Sequence, residues 1–190
     1  ADGLHERYDW DGWIWLRYTI KNKKYDGLYE SWHNSKQLST KYMYADGKKN
    51  GLHQSWDEYG RLKKECTYKD DELDGCYLSF YGYGIHKKCY YTNGILNGPY
   101  HSNDGLSTKC SYKNGKIDGL YISTYRNGQL ARKCSYVDDI LDGFYESYYA
   151  TGQLYKKCTY KMGKLDGPSE QLNGNSYDKH VYKDGELVVL

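Results

Sequence analysis

Proline, phenylalanine and methionine occur only twice each in 190 residues, and leucine, isoleucine and valine are sparse. A thick aliphatic core is excluded on those numbers. No run approaches the roughly 18 apolar residues of a membrane-crossing helix. An excess of charge of one sign is missing too: 27 basic residues face 25 acidic ones, for a net charge of +2. That balance supplies no strong field toward nucleic acid or an acidic membrane. There is no secretory leader and no initiator methionine, so the chain reads as a mature form or a piece of a longer protein. It contains no C-x-x-C, no H-x-H, no H-E-x-x-H and no glycine-rich turn opening a helix. Common zinc, redox and phosphate-loop chemistries therefore have no foothold.

What the chain has is 25 Tyr, 21 Gly and five Trp. Aromatic side chains bury large areas and favour strands, so the aliphatic shortage does not imply disorder. An Asp-Gly or Asn-Gly pair recurs, its glycine falling at 3, 27, 51, 75, 98, 119, 143 and 167, with spacings of 24, 24, 24, 23, 21, 24 and 24. This is a tandem repeat. Within each unit two short alternating runs are separated by glycine-containing turns, the pattern of a β-hairpin. In the clearest copy the runs are Phe144 to Tyr149 and Gln153 to Tyr160, with turns at Thr151-Gly152 and Met162-Gly163. The expected fold is all-β: an elongated, single-layer antiparallel sheet of about eight hairpins and about 16 strands. It forms one repeat domain over 1–190, with units starting near 2, 26, 50, 74, 97, 118, 142 and 166. At the usual strand spacing its long axis is roughly 70–80 Å.

Alternation assigns faces. One face of the second strand carries an aliphatic residue (Leu38, Leu62, Ile85, Leu106, Leu130, Leu154), then a basic residue or Thr, then Cys, then Tyr (Tyr44, Tyr68, Tyr91, Tyr112, Tyr136, Tyr160, Tyr182). On the first strand Tyr29, Tyr77, Tyr100, Tyr121 and Tyr145 align, with His53 in their place once and Ser two positions later. The Cys slot holds Cys66, Cys89, Cys110, Cys134 and Cys158. With two strands per unit, equivalent cysteines lie about 9–10 Å apart, too far for a disulfide. Cys76, on a first strand, is placed to face Cys66 or Cys89. Six free thiols point to a reducing compartment. The histidines His5, His33, His53, His86, His101 and His180 occupy unrelated repeat positions and suggest no metal site. Asp26, Asp74, Asp118, Asp142 and Asp166 read as turn residues tolerant of positive φ.

The skeleton G-x-Y-x-S-x-Y, then N/T-G-Q-L, then K-C-x-Y-K-x-G-K-L-D-G resembles the MORN repeat. It is most similar to the longer variant of antitoxin-like bacterial proteins and of large DNA viruses of amoebae. Gly143, Tyr145, Tyr149 and Gly152 match its Gly, aromatic, aromatic, Gly pattern, while Ser147 stands where the shorter eukaryotic repeat has a second Gly. The resemblance implies stacked hairpins used for scaffolding, protein contact or membrane proximity. No F-box accompanies them.

The functional expectation is a non-enzymatic structural or protein-interaction module, possible roles being a viral scaffold, a virion component or an antitoxin-like binder. No active-site constellation departs from the repeat. No cofactor, metal or small-molecule substrate is expected, and the location is intracellular or in a virion. Candidate partner-binding residues are Trp10, Trp13, Trp15, Tyr29, Tyr77, Tyr121 and Tyr145, exposed aromatics being favoured interface anchors. The alternative is a peripheral binder of anionic lipid or nucleic acid through a basic column, Lys41, Lys88, Lys109, Lys133 and Lys157, interrupted by Glu65. The repeat breaks its own pattern at the short fifth unit, HSNDGLSTKCSY, and at both ends, where capping is the expected reason.

Overall fold

The structure is a computed structural model that describes residues 1–188. It is all-β, and its strands pair antiparallel. The chain forms two compact units, Ala1–Ile95 and a second from Leu96 onward. The first holds β1 (Gly3–Tyr8), β2 (Ile14–Lys21), β3 (Lys24–Trp32), β4 (Leu38–Ala45), β5 (Lys48–Lys49), β6 (Gly51–Trp56), β7 (Leu62–Lys69), β8 (Glu72–Tyr81) and β9 (Gly84–Thr92). After the two-residue β10 (Ile95–Leu96), the second holds β11 (Gly98–Ser102), β12 (Ser107–Lys113), β13 (Lys116–Ile117), β14 (Gly119–Thr124) and β15 (Leu130–Val137). It continues with β16 (Ile140–Tyr148), β17 (Leu154–Lys161), β18 (Lys164–Asn173), β19 (Ser176–Lys183) and β20 (Glu186–Leu187). In each unit the sheet is built from strands that neighbour one another in chain order. Buried side chains are correspondingly few and small: five cysteines, one alanine, three serines and His53 among the described residues.

The 20 strands among the described residues exceed the expected 16 for a local reason. In three units the first strand breaks at Asn50, Asn97 or Asp118, just before the repeat glycine, and β20 follows the eighth hairpin. Where the strand is unbroken, Asp-Gly and its successor oppose a single residue. Between β15 and β16 the pairs Cys134↔Tyr145 and Tyr136↔Leu141 leave Ser135 facing Asp142, Gly143 and Phe144. Thr19, Thr67 and Thr159 occupy the same place in their hairpins. Ser135 and Thr67 hydroxyls donate to the carbonyls of Asp142 and Asp74, closing the bulge. Gly143, at φ +100, supplies the backbone conformation that such a bulge requires.

The repeat aspartates are therefore not turn residues. Asp26, Asp74, Asp142 and Asp166 lie within strands, and Asp118 lies at a strand break. Positive φ falls instead on the next turns, at pairs such as Asn22-Lys23, Asp70-Asp71, Asn114-Gly115 and Asp138-Asp139, as a two-residue type I′ hairpin turn demands. The strand aspartates serve those turns from a distance. The Asp74 carboxylate accepts from the Asn93 N–H at 3.1 Å, Asp142 from Met162 at 3.0 Å, and Asp26 from Asp46 at 3.2 Å.

A second bulge corrects the expected faces. Ser147 pairs with Lys156 but Tyr148 pairs with Leu154, leaving Tyr155 without a cross-strand partner. The same step skips Trp15, Ser39, Lys63, His86 and Ala131. Cross-strand partners share a face, so Leu154 follows Tyr148. The Tyr148 hydroxyl reaches Glu146, 3.0 Å away on the face opposite Cys158. Leu38, Leu62, Ile85, Leu130 and Leu154 thus belong with the charged column rather than with the cysteines, because one bulged residue inverts everything beyond it.

Candidate functional site

The two sheet faces differ sharply in chemistry. One carries the tyrosine rows and the cysteines. Tyr121 pairs with Cys134, Cys134 with Tyr145, and Tyr145 with Cys158. In the first unit His53 pairs with Cys66, Cys66 with Tyr77, and Tyr77 with Cys89. Cys66 and Cys134 are thus small fillers between two rings, while Cys158 lies between Tyr145 and Ser169. Nearer the amino terminus the slot is aromatic, and His5, Tyr18, Tyr29, Tyr42 and His53 form a continuous row of ring contacts, ending with Tyr42 stacked on His53 at 4.2 Å.

The second tyrosine row completes this face. Tyr136 pairs with Gly119 and Tyr160 with Gly143. With no side chain beneath them, these rings turn edge-on to Tyr121 and Tyr145, at centroid distances of 5.9 and 5.8 Å. Edge-to-face pairs of this kind contribute about 0.5–1.5 kcal/mol beyond area burial. Burial raises the Tyr68, Tyr112 and Tyr160 phenols to about 12. These rings are neutral donors across the physiological range.

All six cysteines are free thiols. Burial raises the ladder thiols, Cys110 to about 11, so none carries the thiolate character that reactivity requires. Cys76 does not face Cys66 or Cys89. It pairs with Tyr90, and its neighbour Tyr77 takes the cysteine face. It is also the one cysteine that is not buried. In the native protein, Ellman's reagent should therefore modify one thiol at least tenfold faster than the rest. Mass mapping should place that label on Cys76, and rapid labelling of Cys134 or Cys89 would contradict the packing.

The opposite face carries the lysine column, and acids on the first strands interleave with it. Arg17 lies 2.8 Å from Glu6 and 3.7 Å from Glu30, and Lys41 lies 3.4 Å from Glu30. Lys157 lies 3.3 Å from Glu146, and Lys179 lies 3.2 Å from Glu170. The interruption at Glu65 is bridged by Gln54. Between these ends carboxylates are fewer: Lys88 opposes Leu78, Lys109 opposes His101 and Ile122, and Lys133 opposes Ile122 on one side and Glu146 on the other. The Lys88 and Lys133 ammoniums lie over Tyr90 and Phe144. Reading one column at a time missed the glutamates, which stand in register on the neighbouring strand.

The three amino-terminal tryptophans do not form a ring cluster. Trp10 is 93 % exposed in the first hairpin turn. Trp13 lines a hollow on the charged face with Tyr8, Ile14, Arg17 and Trp32, under the Lys36 ammonium at 4.8 Å. Trp15 is the unpaired residue of the bulge. Tyr29, Tyr77, Tyr121 and Tyr145 are half-buried members of the tyrosine row.

Sequence reasoning named Tyr121 and Tyr145 but not the groove that they help to line, which lies in the second unit. Leu106, Tyr121, Ser123, Tyr125, Ala131 and Arg132, together with Tyr145, Ser147, Tyr148 and the ring pair Tyr149 and Tyr155, line a groove of about 330 Å³. Its signal was present as the short fifth repeat and as alanine at a position where the following repeat has tyrosine. Three stretches, residues 49–70, 117–138 and 141–162, match the family model of the MORN repeat variant, and each spans one hairpin. None of the curated proteins matches the chain.

Proposed function

We propose that the chain is a non-enzymatic interaction module whose ligand is another protein, held on the tyrosine face. MORN repeats are associated with protein or membrane-lipid contact, and the glutamates that pair with the lysine column at its two ends favour the first of these. Polyanion or anionic-lipid binding draws on uncompensated cations, whereas Lys41 and Lys157 are each shared with a glutamate. The tyrosine face offers amphipathic rings with little conformational entropy to lose on binding. Trp10 and Trp15 extend the aromatic surface at the amino-terminal end.

Affinity capture from the source organism, quantified by mass spectrometry, tests this reading. Replacing Trp10 and Trp15 with Ala should reduce recovery of the partner at least fivefold, while Lys133→Glu with Lys157→Glu leaves it within twofold. Circular dichroism must first show that the Trp variant keeps its fold, since a lost cap imitates a lost interface. The reverse pattern, with charge reversal abolishing capture, supports the electrostatic alternative instead.

A further inference from the structure

The groove in the second unit has a built asymmetry. Its floor is Ser123, Ala131 and Ser147, with Ser123 and Ala131 buried. Tyr121 and Tyr145 stand along one side and Tyr125, Tyr149 and Tyr155 along the other. It exists because the bulge position holds Ala131, where the next repeat has Tyr155 packed edge-on to Tyr149 at 5.2 Å. The short loop that ends at Leu106 leaves its end open.

Two features of this groove are unsatisfied within the chain. Across the strands, Ser123 pairs with Arg132, Arg132 with Ser147, and Ser147 with Lys156. This basic row lies on the tyrosine face and alternates with serines, unlike the lysine column behind it, which alternates with glutamates at its ends. Among the described residues neither Arg132 nor Lys156 has a carboxylate within ion-pair distance; Arg132 lies over the Tyr145 ring at 5.7 Å. The Ser147 Oγ is enclosed and has no hydrogen-bond partner, an uncommon condition for a buried polar atom.

We infer that the groove around Arg132 and Ser147 receives an extended acidic peptide segment of a partner protein, one carboxylate meeting the Arg132 guanidinium and the Tyr121 and Tyr145 rings flanking the neighbouring apolar side chain. This rests on the protein-binding reading and specifies its site. A volume of about 330 Å³ is at the lower end for an enclosed small-molecule site. Tyrosine walls, a serine floor and one central arginine are instead the composition of surfaces that hold peptides. The charge that the groove lacks is negative, and the pairing of guanidinium with carboxylate is directional.

The test uses the full chain and a fluorescein-labelled hexapeptide of alternating glutamate and leucine. Its lysine-leucine counterpart and inorganic phosphate serve as the other probes. The acidic peptide should bind and the basic one should not. Arg132→Glu should weaken binding at least tenfold, and Ala131→Tyr, which places the next repeat's residue in the groove, should abolish it. Lys157→Glu, on the other face, should leave it unchanged. Equal losses in Lys157→Glu and Arg132→Glu, or unchanged binding in Ala131→Tyr, would overturn the assignment. So would phosphate binding with no peptide binding, or no binding of the acidic peptide. Should Ala131→Tyr not fold, Arg132→Glu alone decides, because Arg132 is exposed. Partner capture that survives both groove variants sinks this site and leaves the protein-binding function standing.

Discussion

Acidification from pH 7 to pH 4 should cost the protein on the order of 3 kcal/mol through His53 alone. His53 is 5 % exposed, stacked on Tyr42, with Nδ1 3.5 Å from the Cys66 Sγ and no partner for Nε2. Burial, assisted by the Lys64 and Lys49 ammoniums, lowers its pKa from 6.5 to about 4. The unfolded chain thus takes up a proton near 6.5, and the folded chain refuses it until about 4. Stability is complete above the unfolded value and falls as the pH drops through the window between the two. Denaturant titrations at pH 7 and pH 4 measure the loss. His53→Tyr restores the residue that this slot holds in Tyr29 and Tyr77, and should remove most of the loss. Carboxylates such as Asp2 and Asp166, lowered chiefly by a backbone hydrogen bond and by Lys183 respectively, titrate alike in both proteins and cancel. An identical pH dependence in the two would refute the role of His53.

Gly143→Ala should be among the most damaging single-methyl changes in the chain. Two costs add. A side chain at φ +100 is strained, worth about 1–3 kcal/mol. The new Cβ also overlaps the Ser135 hydroxyl, which closes the bulge on Asp142, and displacing that hydrogen bond costs about 1 kcal/mol more. Gly119, at φ +99, has nothing within 4 Å of the equivalent Cβ, so Gly119→Ala isolates the strain. Chemical denaturation should rank Gly143→Ala below Gly119→Ala by at least about 1 kcal/mol. Adding Ser135→Ala to Gly143→Ala should cost little further, because the hydroxyl it removes is already displaced. Equal losses at the two glycines would show that the Ser135 contact is unimportant.

The repeat glycines were legible in the sequence because their job is backbone geometry, which no other residue type performs as well. The cysteine slot was legible for a similar reason, as a space of fixed size between rings. The bulge beside them was not, because Trp15, Ser39, Lys63, His86, Ala131 and Tyr155 share no chemistry. A residue that the strand register skips is free to vary from repeat to repeat, and it leaves no period-2 trace while inverting Leu38, Leu62 and Leu154. The aspartates were visible and misassigned. A carboxylate that caps a turn some 20 residues on, as Asp142 does for Met162, looks in sequence like one that makes its own turn. Of the candidate sites, the tyrosine row was legible. The glutamate partners of Lys41 and Lys157 required strand register, and the groove at Arg132 came from what Ala131 lacks.

The long-range polar links along the sheet share one span. Asp2 reaches Asn22, Lys24 reaches Asp46, Tyr125 reaches the Tyr148 carbonyl and Tyr177 reaches the Leu154 carbonyl, at separations of 20 to 23 residues. Within each unit, therefore, no strand waits for a distant segment before it can pair. The chain search before the first native contacts is short, which places this sheet among fast-folding topologies although it is built of strands. Pairing can start at any hairpin and spread to its neighbours. A segment leaving a synthesis machine can then complete each rung as soon as the following one emerges, and its open edge is covered in turn by the next strand rather than left waiting for a mispairing partner.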